Sequence, residues 1–275
     1  MLSYPQIDPV IFSIGPVAVR WYGLMYVLGF AASYLLVKKQ ILDHRQEELI
    51  AHFDNLNLLL ILSVILGGRL GYVLFYNPAY YFSHPTEIIA TWQGGMSFHG
   101  ACLALPLAGY WFCRRHRLDF WMTADLYIAT VPIGLGLGRI GNFLNGELFG
   151  RVSEVPWAMV FPDGGPLPRH PSQIYEALLE GGLLFAILWL NREKPWQERR
   201  PHGWPHGAIF ALFLISYGLI RMTVENFREP DTQLGFLFGL VTMGQLLSGA
   251  MIFCGLVIWW QRRRVGPGGR ATAGR

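Results

Sequence analysis

Residues 138–151 read Gly138-Arg139-Ile140-Gly141-Asn142-Phe143-Leu144-Asn145-Gly146-Glu147-Leu148-Phe149-Gly150-Arg151, directly after an uncharged apolar stretch. An arginine at the end of a membrane helix is ordinary, because its long stem reaches the interface. Here amides, a carboxylate and a second arginine follow within a dozen residues, interleaved with glycines that let backbones approach and turn. Polar groups gathered at the mouth of an apolar helix are costly unless they bind something. Guanidinium, amide and carboxylate at a membrane surface match the polar part of a lipid.

The rest of the chain supplies the membrane. Of its 275 residues, 52% are hydrophobic and only 15% charged, where a soluble domain carries about 25% charge; the mean hydropathy is +0.32. Seven apolar stretches, Val17–Val37, Leu56–Tyr76, Met96–Cys113, Thr123–Phe143, Pro171–Leu190, Gly207–Val224 and Leu234–Trp260, are each long enough to span or nearly span a bilayer. The expectation is an all-α polytopic membrane protein of about seven transmembrane helices, one integral domain over residues 1–275. Residues 144–170 form a small head inserted between spans four and five, too long for a connector and too apolar for a disordered one. The N-terminus lacks a basic n-region and is broken by prolines, unlike a cleavable signal peptide. Cys102, Cys113 and Cys254 lie in or beside apolar stretches and read as small core residues, not as a disulfide framework.

Charge sets the orientation. Fifteen of the 22 Lys and Arg residues fall after spans one, three, five and seven, and residues 77–95 contain none. The positive-inside rule then places the N-terminus outside and the C-terminus in the cytoplasm. The net charge of +4 is therefore a membrane signature and implies no nucleic acid. The seven remaining basic residues, Arg20, Arg69, Arg139, Arg151, Arg169, Arg221 and Arg228, are all arginines on the outer side, where the rule disfavours them. Arginine binds phosphate bidentately and keeps its charge when partly buried. Snorkelling or pairing with acids suffices for those near an end or in a loop. It serves less well for Arg139 and Arg221, and for Arg69, which lies roughly 10 Å before the outer end of its span.

Three further groups sit at the same level. Tyr217, Arg221 and Glu225 share one helix face, with Glu225 either neutralising Arg221 or aiming it at a ligand. Tyr22 and Tyr26 share a face of the first span; interfacial tyrosines are ordinarily anchors, and a role for Tyr22 needs other grounds. His99, in Gly94-Gly95-Met96-Ser97-Phe98-His99-Gly100, carries the side chain suited to proton transfer near neutral pH, though a lone histidine is as readily structural. Glu176 and Glu180 are four apart on the fifth span, and no His/Cys cluster has metal-ligand spacing.

Together these stretches resemble the bacterial prolipoprotein diacylglyceryl transferase family. The resemblance runs through residues 11–16, Trp21-Tyr22-Gly23-Leu24-Met25-Tyr26, Gly67-Gly68-Arg69-Leu70-Gly71-Tyr72, Gly95–Gly100, Gly138–Arg151, Arg169–Glu176 and Tyr217-Gly218-Leu219-Ile220-Arg221, with Ala101 where a second glycine is expected. It implies transfer of the diacylglyceryl group of phosphatidylglycerol to the lipobox cysteine thiol in a preprolipoprotein signal peptide, with glycerol phosphate leaving and no cofactor. It further implies a multi-pass protein of the bacterial inner membrane with its active site near the periplasmic leaflet. Arg139, Arg221, His99 and Tyr22 are then the catalytic candidates, and Arg139, Asn142, Glu147, Tyr217, Glu225 and Arg69 the substrate-binding ones. His99 is the candidate base, ahead of Tyr22 and Glu147. Two rival classes exist. An intramembrane hydrolase needs a nucleophile elbow or a His-Glu-x-x-His helix, and neither occurs. A transporter or channel for anionic solutes suits glycine-broken helices, but no internal repeat is visible.

Overall fold

The computed structural model describes residues 2–5, 7–15, 17–91, 94–197, 203–229, 236–237 and 241–265. The chain is mostly helical, and its contacts divide it into two units, residues 1–37 with 125–275, and residues 38–124. Five described helical segments are long and apolar enough to cross a membrane: Trp21–Asp43, Glu47–Phe75, Phe120–Leu144, Ser172–Trp196 and Met243–Arg264. Ala208–Val224 is apolar but shorter. The helix Phe98–Arg115 has 18 residues, among them His99, Arg114 and Arg115, which lower its hydropathy.

In the larger unit, β1 (Leu2–Ser3) pairs in parallel with β4 (Met159–Val160). β2 (Val10–Ile14) and β3 (Val17–Arg20) form an antiparallel hairpin turned at Gly15, whose φ is +59°. The first helix, α1 (Trp21–Asp43), therefore starts four residues later than the apolar stretch from Val17 suggests. Hydropathy does not separate strand from helix, and Val17-Ala18-Val19 favours the strand through its β-branched residues. A second correction lies at the seventh stretch. Phe236–Leu237 (β5) and Val241–Thr242 (β6) pair antiparallel, and α10 begins only at Met243 (Met243–Val265), where the Thr242 hydroxyl accepts from the Gln245 N–H at 3.2 Å.

The fourth span is two helices, α5 (Phe120–Ile128) and α6 (Val131–Leu144), with Pro132 in the first turn of α6. Thr130 at the break accepts or donates at 2.6 Å with Ser33 of α1. The fifth span runs as α7 (Ser172–Glu176), a π-helical segment Ala177–Leu183, and α8 (Leu184–Asn191). Asp125 caps α9 (Ala208–Val224) from a distance, accepting from the Gly207 and Phe210 N–H groups at 2.7 and 2.8 Å. Leu184 and Leu188 of α8, Ile209 and Phe213 of α9 and Ala129 form the buried core of this unit. Leu178, Leu183 and Leu190 on the fifth span remain exposed, as a lipid-facing surface requires.

In the smaller unit, α2 (Glu47–Phe75), α3 (Pro78–Ser83) and α4 (Phe98–Arg115) follow one another. α2 and α4 pack at backbone contact: a Cβ on Gly67 would stand 2.8 Å from the Gly100 carbonyl oxygen, and one on Gly71 would stand 2.8 Å from the Gly100 Cα. Small residues at such a crossing replace the hydrophobic drive that lipid removes. All three cysteines are free, but only Cys113 is buried; Cys102 and Cys254 are exposed, so the core reading holds for one of three.

Candidate active site

Arg139 sits on the last turn but one of α6, and its position follows from glycine contact. A Cβ on Gly181 would lie 2.6 Å from the Gly136 Cα, so α6 lies directly against the π-helical segment. The wider π turn falls where Glu176 and Glu180 leave the fifth span, and π segments recur at functional sites. Arg139 Nε stands 2.6 Å from Glu176 Oε2 and 3.8 Å from Glu180 Oε2. Arg221, near the end of α9, stands 2.8 Å from Glu225 Oε2, 3.4 Å from Glu180 Oε1 and 3.8 Å from Glu176 Oε2. Arg228 Nη1 lies 3.7 Å from Glu176 Oε1. Thr242 donates to Glu225 Oε1 at 3.0 Å, and Gly244 leaves room for that carboxyl, which a Cβ would meet at 2.7 Å.

Three half-buried arginines and three buried glutamates therefore balance to zero in this cluster, as low-dielectric surroundings demand. The acids are out of reach of solvent, Glu176 at 1% and Glu180 at 0% exposed, whereas the Arg139 side chain is 20% exposed. Arg139 approaches both carboxylates through Nε, and the terminal nitrogens of its fork make no hydrogen bond among the described residues. That is the arrangement of an anchored guanidinium presenting two donors to an oxyanion.

The rest of the 138–151 stretch builds outward from Arg139. A Cβ on Gly141 would meet Tyr22 Cδ2 at 2.8 Å, so the glycine brings Tyr22 against α6. The Tyr22 hydroxyl lies 2.9 Å from that of Tyr26. Asn142 donates to Glu147 Oε1 at 2.9 Å and Asn145 to the same oxygen at 3.3 Å, while Gln173 donates to the Glu147 carbonyl at 2.6 Å. Glu147 is exposed, with Oε2 unpartnered among the described residues. Tyr217 stacks on Phe213 with ring centroids 5.6 Å apart, one turn before Arg221.

Residues 144–170 are tied to both neighbours in the larger unit. Gly150 and Arg151 donate to the His170 and Phe227 carbonyls at 2.8 and 2.9 Å, and Tyr4 donates to the Phe143 carbonyl at 2.7 Å. Arg169 spans this segment, donating to the Gly164 and Gly150 carbonyls and pairing with Glu229 at 2.9 Å. Burial pushes the His170 imidazole pKa down, and its Nδ1 lies 3.1 Å from the Tyr175 hydroxyl.

Two candidates lie in the smaller unit. Arg69 is 3% exposed and donates to four carbonyls: Ile88, Glu87 and Gly95 at 2.8, 2.7 and 3.1 Å, and Gly94. The Tyr81 ring lies 5.1 Å from its guanidinium. The sequence made Arg69 a substrate-binding candidate; here the loop of residues 87–95 takes up its donors, because unpaired carbonyls there are as costly as an unpaired arginine. His99 is exposed in the first turn of α4, behind the Ser97 cap, with no hydrogen-bond partner among the described residues. Among the described residues no group of three or more His, Cys, Asp or Glu is placed to hold a metal ion.

Sequence reasoning missed Glu176 and Glu180 as partners of the arginines, and it left Arg228 to a helix end. The signal was present, since two acids inside an apolar span demand partners.

Comparison with known proteins shows the family. The family model described as prolipoprotein diacylglyceryl transferase matches residues 9–261. A phosphatidylglycerol–prolipoprotein diacylglyceryl transferase of Desulfotalea psychrophila is 63% identical over 94% of this chain and 95% of its own length. Those of Geobacter sulfurreducens and Legionella pneumophila (strain Lens) are 49% and 45% identical, over 97% and 96% of this chain and 100% of theirs. A transporter for anionic solutes is set aside by this likeness over nearly the whole chain. On this likeness over nearly its whole length, the chain belongs to the prolipoprotein diacylglyceryl transferase family.

Proposed function

We propose that the protein transfers the diacylglyceryl group of phosphatidylglycerol to the cysteine thiol of a preprolipoprotein lipobox. The sulfur attacks the glycerol carbon that bears the phosphate ester. The carbon–oxygen bond breaks, a thioether forms, and glycerol phosphate departs with its phosphorus–oxygen bonds intact. The bridging oxygen gains negative charge as the diester becomes a monoester. Donors fixed in advance around that oxygen stabilise the transition state more than the ground state.

The observation that carries this reading is the Arg139 fork, paired through its inner nitrogen with Glu176 at 2.6 Å while its outer nitrogens make no hydrogen bond among the described residues, beside Arg221 paired with Glu225 at 2.8 Å. Arg139 and Arg221 grip the phosphate. Asn142 holds Glu147 in place, and Glu147, open at Oε2, receives the headgroup hydroxyls. Tyr22 and Tyr217 wall the reacting carbon. His99 takes the thiol proton, making the thiolate that attacks. Arg69 supports the outer loop and does not touch the lipid.

The membrane arrangement belongs to the same proposal. Seven helices cross the inner membrane, with Phe98–Arg115 and Ala208–Val224 completing the five longer spans. The N-terminus and residues 144–170 are periplasmic, the C-terminus is cytoplasmic, and the reaction takes place at the periplasmic leaflet. Both substrates carry long apolar parts, so they enter and leave sideways between helices. The test is reconstitution: purified protein, phosphatidylglycerol and a lipobox peptide, followed by mass spectrometry. Phosphatidylethanolamine in place of phosphatidylglycerol, giving equal transfer, would refute the headgroup reading.

A further inference from the structure

The two arginines are held unevenly. Each has one short carboxylate partner, Glu176 at 2.6 Å for Arg139 and Glu225 at 2.8 Å for Arg221. Glu180 is the third acid and touches both from further off, 3.8 Å from Arg139 and 3.4 Å from Arg221. Like Glu176, which also reaches Arg221 at 3.8 Å, it is an anion shared between guanidinium groups, but it has no short arginine partner of its own, and sharing two guanidinium groups is the role a bound phosphate takes. Its position is not adjustable. It sits within the π-helical segment, next to Gly181, where the backbone lies against Gly136. At 0% exposure it has no route to solvent.

We propose that Glu180 is a built-in competitor for the lipid phosphate, whose fixed charge weakens the hold of Arg139 and Arg221 on phosphate and so speeds release of the product. The inference rests on the diacylglyceryl transfer proposed above. Its logic is electrostatic. The cluster of Arg139, Arg221, Arg228, Glu176, Glu180 and Glu225 is already neutral, so a phosphodiester brings one negative charge in excess. Glycerol phosphate brings nearly two. Repulsion from a fixed carboxylate grows in proportion to the ligand charge, so Glu180 disfavours product more than substrate. Three arginines facing only two acids would hold a monoester dianion tightly, and an enzyme that must turn over cannot keep its leaving group.

Glu180→Gln in the full-length, detergent-purified protein tests this, because the amide keeps shape and acceptor oxygen while removing the charge. KM for phosphatidylglycerol should fall about threefold. The inhibition constant for added sn-glycerol phosphate should fall further, by about tenfold, the equivalent of 1.4 kcal/mol. The steady-state rate should fall, with a first-turnover burst that the wild type lacks. Glu180→Asp, which keeps the charge but draws it back, should shift both constants the same way by less, and it serves if the amide variant does not fold. A positioning role alone predicts the opposite split: KM and the inhibition constant rise or stay level, the rate falls, and no burst appears. That result overturns the proposal. Binding of sn-glycerol phosphate, measured by calorimetry without peptide, reads the same difference independently of transfer. A wild type that transfers nothing yet binds glycerol phosphate more weakly than Glu180→Gln would sink the transferase reading and leave the competitor standing.

Discussion

Arg139 shows why the identity of a cation matters here. Its Nε pairs with Glu176 and its outer nitrogens make no hydrogen bond among the described residues, a division of labour that a lysine ammonium cannot reproduce. Arg139→Ala and Arg139→Lys should each lower the rate of transfer by about a hundredfold or more, the usual cost of one preorganised donor at an oxyanion. Arg221→Lys should do the same, while the protein still inserts; wild-type turnover in any of the three removes that arginine from the mechanism. Arg69→Ala should behave differently. It strips four carbonyls of their donor, so thermal stability should fall while KM for phosphatidylglycerol in the folded fraction stays level; a raised KM alone would return Arg69 to the lipid. His99→Gln should lower the rate, and raising the pH should recover part of the loss, because the free thiol, with a reference pKa near 8.5, then ionises unaided. A mutant-to-wild-type rate ratio that stays flat across pH refutes the base. Of these residues, Arg139, Arg221 and Glu225 were legible in the sequence as polar groups at one level of apolar helices. The duty of Arg69 was not, because a buried arginine satisfied by loop carbonyls and one awaiting a ligand have the same sequence.

Among the elements, the apolar stretches located the helices, though α2 begins nine residues before Leu56 and α10 nine after Leu234, and they located the strands not at all. Val17–Arg20 and Val241–Thr242 are short, apolar and adjacent to helices, so hydropathy merges them into the spans. The π-helical segment is equally silent, since it depends on Gly136 and Gly181 meeting across two helices far apart in sequence. What the glycines do is testable. A Cβ on Gly150 would stand 2.3 Å from the Phe227 carbonyl oxygen and 2.9 Å from His170. Gly150→Ala must therefore push the 144–170 segment off the end of α9, with a cost of about 1–3 kcal/mol for overpacking. Transfer should drop and proteolysis within residues 144–170 should quicken; unchanged activity and protease resistance would show the segment to be independent of the site.

At the scale of the molecule, the proposed orientation rests on fifteen cations that follow alternate apolar stretches. Single cysteines at Ser83 and Asp163, in a background lacking the native three, should react with an impermeant thiol reagent in spheroplasts, and those at Glu48 and Gln197 should react only after permeabilisation. Labelling at 197 from outside overturns the topology. The central claim is chemical, and one measurement reaches it most directly. Purified protein is given phosphatidylglycerol and a peptide whose lipobox cysteine is intact. The peptide should gain the mass of one diacylglyceryl group, one glycerol phosphate should be released for each peptide modified, and the same peptide with serine in place of cysteine should gain nothing. Consumption of phosphatidylglycerol without a change in peptide mass, or equal modification by the Arg139→Ala protein, would contradict it.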